Sequence, residues 1–365
     1  MNQITWNFGF CNENFQISEK QKKEWKINDN KRDIAEDYSE SALKHLNTLL
    51  SKRENYKVKE WLKKTLEIKR FFRCNGDFTK EANGKIKLLL AGHILELEEN
   101  QWFKDYLKDP DHSGTTIAEI KKVFDYSDWS DMKNNWRRKL LAATGIVICP
   151  YCDRQYISYY SDEKTTAELD HFYPKDDYPL FSLSLFNFIP ACHICNALFK
   201  LKKRLYVYPY RSGFDKDVHF EIKPFEQNER EGNFFVDFVL GEYEDDIKIE
   251  QVVDKDSSSK ESFEEDIKTL KLNEVYNVHQ DYVKTLFDIR RLYENDDYKD
   301  QVEKLLNDTM NKNNVPYPVT NENIRLFLTG ETLSDNNDDN ASAVRKRPLS
   351  TLTSAVFNDK IIIGE

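Results

Sequence analysis

Two C-x-x-C pairs, Cys149 with Cys152 and Cys192 with Cys195, constrain this chain more than any other feature of it. A C-x-x-C turn aims two thiolates at one point. Two such turns supply the closed tetrahedral sulfur shell that Zn²⁺ favours, at metal–sulfur distances of about 2.3 Å. A closed shell leaves no position for water, so the Zn²⁺ expected here is structural. It also fixes topology, because the segment between the pairs must leave and re-enter one point. Cys11 and Cys74 have no partner at such a spacing. They read as ordinary thiols, which suits a reducing compartment better than a disulfide framework.

The segment so closed contains Asp170 next to His171, then Asn187, and Asn196 directly follows the last cysteine. On an extended strand neighbouring side chains point to opposite faces, so Asp170 and His171 can serve two different tasks. Neutral imidazole is the side chain best suited to taking a proton near pH 7. A carboxylate and an amide carbonyl are hard oxygen donors of the kind Mg²⁺ or Mn²⁺ prefers. Closing the sulfur shell would carry Asn196 towards Asp170. That grouping suits hydrolysis of a phosphodiester, which needs an activated water and a cation at the leaving oxygen.

The phrases CPYC, ELDHFYPK, FNFIPAC and CHICN, as they stand between Cys149 and Asn196, resemble the HNH (ββα-metal) nucleases in the variety that carries a structural four-cysteine zinc. The resemblance implies a ββα-metal core and an endonuclease that leaves 5′-phosphate products, with DNA the expected substrate. It implies His171 as general base, Asp170 and Asn196 as holders of a catalytic Mg²⁺ or Mn²⁺, and Asn187 as the residue tying the intervening loop to backbone groups. Many members place a lysine three residues after the final Asn; here that position is Phe199 and the lysine is Lys200. The same phrases resemble bacterial HNH proteins of anti-phage defence, the Septu-type nucleases, which implies a partner ATPase controlling the cut. His193, inside the second knuckle, reads as a bystander. The alternative from another class is a non-catalytic zinc-ribbon-like adaptor for nucleic acid or protein, which has no need of Asp170, His171 and Asn196 in this order.

The chain of 365 residues carries a formal net charge of −10, so as a whole it repels nucleic acid, and phosphate contacts must come from local basic clusters. Lys200, Lys202, Lys203 and Arg204, just past the second knuckle, and Lys175, shortly after His171, are the candidates for nucleic-acid binding; the alternative is a solvated helix end. The run Lys57 to Arg73, with Trp61, Phe71 and Phe72 interleaved among lysines, reads as a solvated helix face whose aromatics pack inward. No signal-peptide pattern opens the sequence and no apolar run approaches a membrane span, so a cytoplasmic location is expected.

The expected fold class is α+β: mostly helical flanks around a central zinc-stabilised ββα-metal core, with a small antiparallel β meander after it. Residues 1–140 read as a helical N-terminal region, with Leu43, Leu46 and Leu50 on one stripe and a helix from about Lys85 to Leu107. The Asp109 to Gly114 cluster, which includes Asp111 and His112, reads as a turn. Residues 141–215 form the core. Within 216–253 three alternating runs, around Phe220, Phe238 and Ile249, predict the meander. Residues 254–365 read as helical, opening on a Ser262–Glu265 capping box and containing a flexible acidic loop at 334–342. His279 lies on an apolar stripe and reads as a hydrogen-bonded core residue, and the apolar tail Ile361–Ile363 as a segment that docks on the body.

Overall fold

The computed structural model describes residues 34–304, apart from 93, 109–116, 128–135, 145, 162–163, 211–212, 215–216, 226–233, 242, 244, 296, 299 and 302–303, together with 347–357 and 361–363. Cys11, the Asp111–His112 turn and the acidic loop 334–342 lie outside the described residues. The described chain groups into two compact units, one of residues 4–149 and 156–210, the other of 150–155 and 211–365.

The first unit begins with helix α1 (Ile34–Ser51), which buries Tyr38, Ala42, Leu46 and Leu50 and turns Lys44 outward. Their spacing of four residues keeps them on one slowly drifting stripe. Helix α2 (Tyr56–Thr65) buries Val58, Trp61 and Leu62, while Lys57 pairs with Glu119 and Lys59 lies over the Tyr56 and Phe72 rings. The basic run is therefore a solvated face above packed aromatics.

The single helix expected from Lys85 to Leu107 is instead three: α3 (Lys80–Ala91), α4 (Ile94–Glu98) and α5 (Gln101–Lys108). Thr79 starts α3 by accepting from the Ala82 N–H. Gly92, extended at φ −68° and ψ 150°, ends it. Helices α6 (Ile117–Val123) and α7 (Trp136–Thr144) complete this helical set.

Against the helices sits a short hairpin, β1 (Tyr159–Ser161) with β2 (Lys164–Thr165), and then a second antiparallel pair, β3 (Ala167–His171) with β4 (Phe188–Cys192). Asp170 faces Ile189 across that pair and His171 faces Phe188. The connection between β3 and β4 carries two 3₁₀ turns, Pro179–Phe181 and Leu185–Asn187. They pack into an aromatic cluster of Phe103, Tyr106, Tyr173, Phe181 and Phe186, with ring centroids 5.0–6.5 Å apart. Tyr38 passes its hydroxyl proton to the Leu183 carbonyl at 2.6 Å, fixing that connection to α1. The Tyr208 and Tyr210 hydroxyls donate to the Phe186 and Phe188 carbonyls.

The second unit is a three-stranded sheet in the order β6–β5–β7, flanked by helices. Strands β5 (Val218–Pro224) and β6 (Ile247–Val253) pair antiparallel, as two of the three alternating runs predict. The middle run does not form a strand. Residues Phe234–Leu240 form helix α8, which buries Phe238 against Phe287 and leaves Val236 and Leu240 exposed. FFVDFVL is apolar almost throughout, and a run so short fits either period, so packing decided it. The third strand is the tail, β7 (Ile361–Ile363), parallel to β5.

Strand β6 is an edge, yet its outward N–H groups are satisfied. Ile247, Ile249 and Gln251 donate to the side-chain oxygens of Gln280, Asn277 and Asn273 at 2.6–2.8 Å. These amides follow α9 (Lys260–Thr269) and lie on or between α10 (Leu272–Tyr276) and α11 (Gln280–Glu294). Covering an edge in this way removes a template for pairing with another chain.

Helix α9 starts at Lys260 after Ser259, so Ser262 and Glu265 stand inside it rather than at its cap. Phe263, Ile267 and Leu270 are buried, as their spacing requires. Residues 150–155 are held from two sides within this unit. Tyr276 Oη donates to the Cys152 carbonyl at 2.8 Å, and the buried Asp153 accepts from Thr351 N and Thr351 Oγ1 at the start of α12 (Ser350–Phe357). Asp153 has φ 53°, a conformation that Asp tolerates better than most residues. No described helix is long and apolar enough to cross a membrane.

Candidate metal centre and polar site

Cys149, Cys152, Cys192 and Cys195 are all buried, and their sulfurs lie within 4.8 Å of one another. A tetrahedral Zn²⁺ with bonds of about 2.3 Å fits such a group. Cys192 N–H donates to Cys149 Sγ at 3.3 Å and Cys195 N–H to Cys192 Sγ at 3.4 Å. Backbone donors aimed at sulfur favour the thiolate, the form that binds metal. The chain thus carries a buried four-cysteine cluster able to hold a metal ion.

Directly after β4 the backbone winds into a π-helix, Ile194–Lys200, with the Leu201 N–H reaching back five residues to the Asn196 carbonyl. This helix lies along β3, and two side-chain rungs join them. Asn196 Nδ2 donates to Glu168 Oε2 at 2.7 Å. Four residues further on, Lys200 Nζ donates to Asp170 Oδ1 and to the His171 carbonyl, both at 3.0 Å. Glu168 and Asp170 are two apart on one strand and so share a face, matching the rise between Asn196 and Lys200. Wide π turns are rare and concentrate at functional sites.

Asp170 and Lys200 are 3% and 1% exposed. Lys200 is therefore not on the surface as expected for a phosphate contact. Its ammonium is enclosed by a carboxylate and a carbonyl, which is the pairing a buried lysine requires. Asn196 meets Glu168 rather than Asp170 in this arrangement.

On the other face of β3, His171 is 8% exposed and packs edge-on against Tyr126 and Phe188. Its Nε2 lies 3.0 Å from the Ser182 carbonyl. A carbonyl only accepts, so Nε2 carries the proton and Nδ1 holds the lone pair. Burial pushes the imidazole down to about 3, and the positive charges of Lys175 and Lys200 add to this against the opposing Ser182 bond. The ring is neutral throughout the physiological range.

Asn187, fully buried, uses both ends of its amide. Its Oδ1 accepts from Tyr173 N at 2.7 Å, and its Nδ2 donates to the Tyr173 and Phe181 carbonyls at 3.0 Å. It ties the connection whose next residue, Ser182, holds His171.

Glu168 is the residue that sequence reasoning missed. Its other oxygen accepts from His193 Nδ1 at 2.8 Å, so His193 is not idle. Burial raises the Glu168 carboxyl, but the His193 and Asn196 hydrogen bonds outweigh it and hold the group below its ordinary value. The signal was available: Glu168 stands two before Asp170, on the same face of any strand containing both.

Lys202, Lys203, Arg204 and Lys175 are exposed. Lys202 is shared with Asp176 at 2.5 Å, and the same carboxylate takes Lys121, which pulls its pKa down to about 2. Arg204 lies over the Tyr173 ring and Lys175 over that of Tyr126. In the second unit His279 accepts from Arg154 Nε at 2.9 Å. Comparison with protein-family models, with curated proteins and with solved structures finds no match for this chain.

Proposed function

We propose that this chain is a metal-dependent endonuclease of the HNH type, which hydrolyses phosphodiester bonds in nucleic acid, with DNA the expected substrate. The observation that carries the proposal is the bond between His171 Nε2 and the Ser182 carbonyl. It presets a neutral imidazole with its basic nitrogen, Nδ1, on the side away from Ser182, the state a general base must have before it takes a proton from water. The β3–β4 hairpin followed by a helix, with the four-cysteine cluster at its ends, supports the same reading. So does Lys200: π winding turns each residue through a smaller angle than α winding, so a lysine four residues past Asn196 comes round about as far as one three residues past it would in an α-helix.

Asp170 and Asn196 would hold Mg²⁺ or Mn²⁺, being a carboxylate and an amide oxygen of the hard type such ions take. The bound cation supplies charge neutralisation at the leaving oxygen. The chain's own residues do the rest. His171 takes the proton at Nδ1, Ser182 and Asn187 hold its ring and loop, and Lys200 braces Asp170. Lys203, Arg204, Lys175 and Lys202 meet the phosphate backbone without reading bases. A partner ATPase, as in Septu-type systems, would govern when the site cuts.

One observation favours the rival, a non-catalytic zinc module: Asp170 already has a buried ion-pair partner in Lys200. Cleavage of plasmid, single-stranded oligonucleotide and tRNA with Mg²⁺ or Mn²⁺ decides between them. The nuclease reading expects His171→Ala to lose at least about 100-fold in rate, as removal of a general base does. Equal rates for the two proteins would leave the zinc module standing.

A further inference from the structure

We infer that Glu168 is a positioning residue that sets the orientation of the Asn196 amide and thereby decides which of its atoms is offered to a divalent cation. The inference rests on the proposed function and adds to it a residue outside the predicted set.

A carboxylate accepts hydrogen bonds and cannot donate them. Asn196 therefore has to present its NH₂ to Glu168, at the observed 2.7 Å, and its Oδ1 is turned to the other side of the amide plane. Without Glu168 the two orientations of that amide differ little in energy. Only one of them puts an oxygen, the atom a hard cation takes, away from β3.

Glu168 is itself held. His193 Nδ1 donates to its second oxygen at 2.8 Å, and its place on β3 opposite Ala191 fixes the backbone beneath it. His193 lies between Cys192 and Cys195, so the second knuckle and Asn196 are joined through one carboxylate. Outer partners of this kind fix ligands, and their loss costs roughly 10- to 100-fold in metal affinity.

The informative variant is Glu168→Gln. Glutamine has the same shape but carries both a donor and an acceptor. It can keep His193 with its oxygen and must then meet Asn196 with its NH₂, so the Asn196 amide turns over and offers nitrogen where oxygen stood. The expected result is a drop of about 10- to 100-fold in Mn²⁺ affinity, read by electron paramagnetic resonance of free Mn²⁺ titrated with the zinc-loaded protein. Zinc content and melting temperature stay near wild type. Glu168→Asp, which shortens the acceptor but keeps it acceptor-only, retains more of the affinity than Glu168→Gln.

Asp170→Ala, in parallel, separates two failures. Wild-type protein that binds no Mn²⁺, or binds it equally well without Asp170, overturns the cation site and the nuclease reading with it. Mn²⁺ binding that depends on Asp170 but is unchanged in Glu168→Gln overturns the role of Glu168 alone. A Glu168→Gln protein that loses Mn²⁺ only together with zinc and thermal stability assigns Glu168 a purely structural role and also overturns the inference.

Discussion

Replacing Asn187 by leucine isolates the polar knot behind the hairpin. The two side chains have similar volume, so little cavity opens and the change is almost purely one of hydrogen bonding. Three backbone groups lose their partner: the Tyr173 N–H and the Tyr173 and Phe181 carbonyls. Each buried orphan costs about 1–3 kcal/mol, so roughly 3–6 kcal/mol in all. Burying an apolar side chain in place of an amide offsets at most about 2–3 kcal/mol of this, and the net loss expected is about 2–4 kcal/mol.

Urea unfolding followed by circular dichroism measures it. Hydrogen exchange of the 172–188 peptide locates it, because Phe181 precedes the Ser182 carbonyl that holds His171. Faster exchange should run through that peptide and spare the β5–β6 pair. A variant within about 0.5 kcal/mol of wild type, with unchanged exchange, would show that the amide is not what orders the connection.

Three further outcomes are expected. Purified chain should contain one zinc by elemental analysis, and Cys192→Ser or chelation should lower the melting temperature by more than about 10 °C, since structural zinc is worth about 10–16 kcal/mol in small domains; zinc-free protein with an unchanged melt would refute the structural role. Lys200→Met should destabilise by about 3–5 kcal/mol by leaving Asp170 buried without its cation, and the double variant with Asp170→Leu should recover most of that loss; a neutral single variant would mean the pair contributes little. In the second unit, burial and then the nearby Arg154 charge lower the His279 pKa. The unfolded chain therefore binds a proton that the folded one refuses as pH falls below about 6.5, and stability should decline there. His279→Gln should flatten this slope in urea titrations at several pH values, and an unaltered slope would assign it to other groups.

The hairpin region was legible because its constraints are local. Cysteine spacing predicts a shared metal, and alternation separates Asp170 from His171, whatever surrounds them. The inward packing of Trp61 and the burial of Phe263, Ile267 and Leu270 follow from periodicity alone. The α8 segment was not legible, since FFVDFVL satisfies helix and strand alike. Its state was settled by Phe287 and Tyr243, which lie far along the chain or just past the helix. Ser262 and Glu265 have the spacing of a cap, but the turn before Lys260 started the helix earlier.

The sequence by itself determined the four-sulfur cluster, the opposed faces of the Asp170–His171 pair and the α+β character, because each depends on residue type and short-range period. Only the tertiary structure decided who meets whom: Lys200 with Asp170, Asn196 with Glu168, His171 with Ser182, and a C-terminal strand with β5. Those pairings depend on how far a π-helix turns and where a long connection returns, and the geometry that sets them is spread over residues distant in the chain.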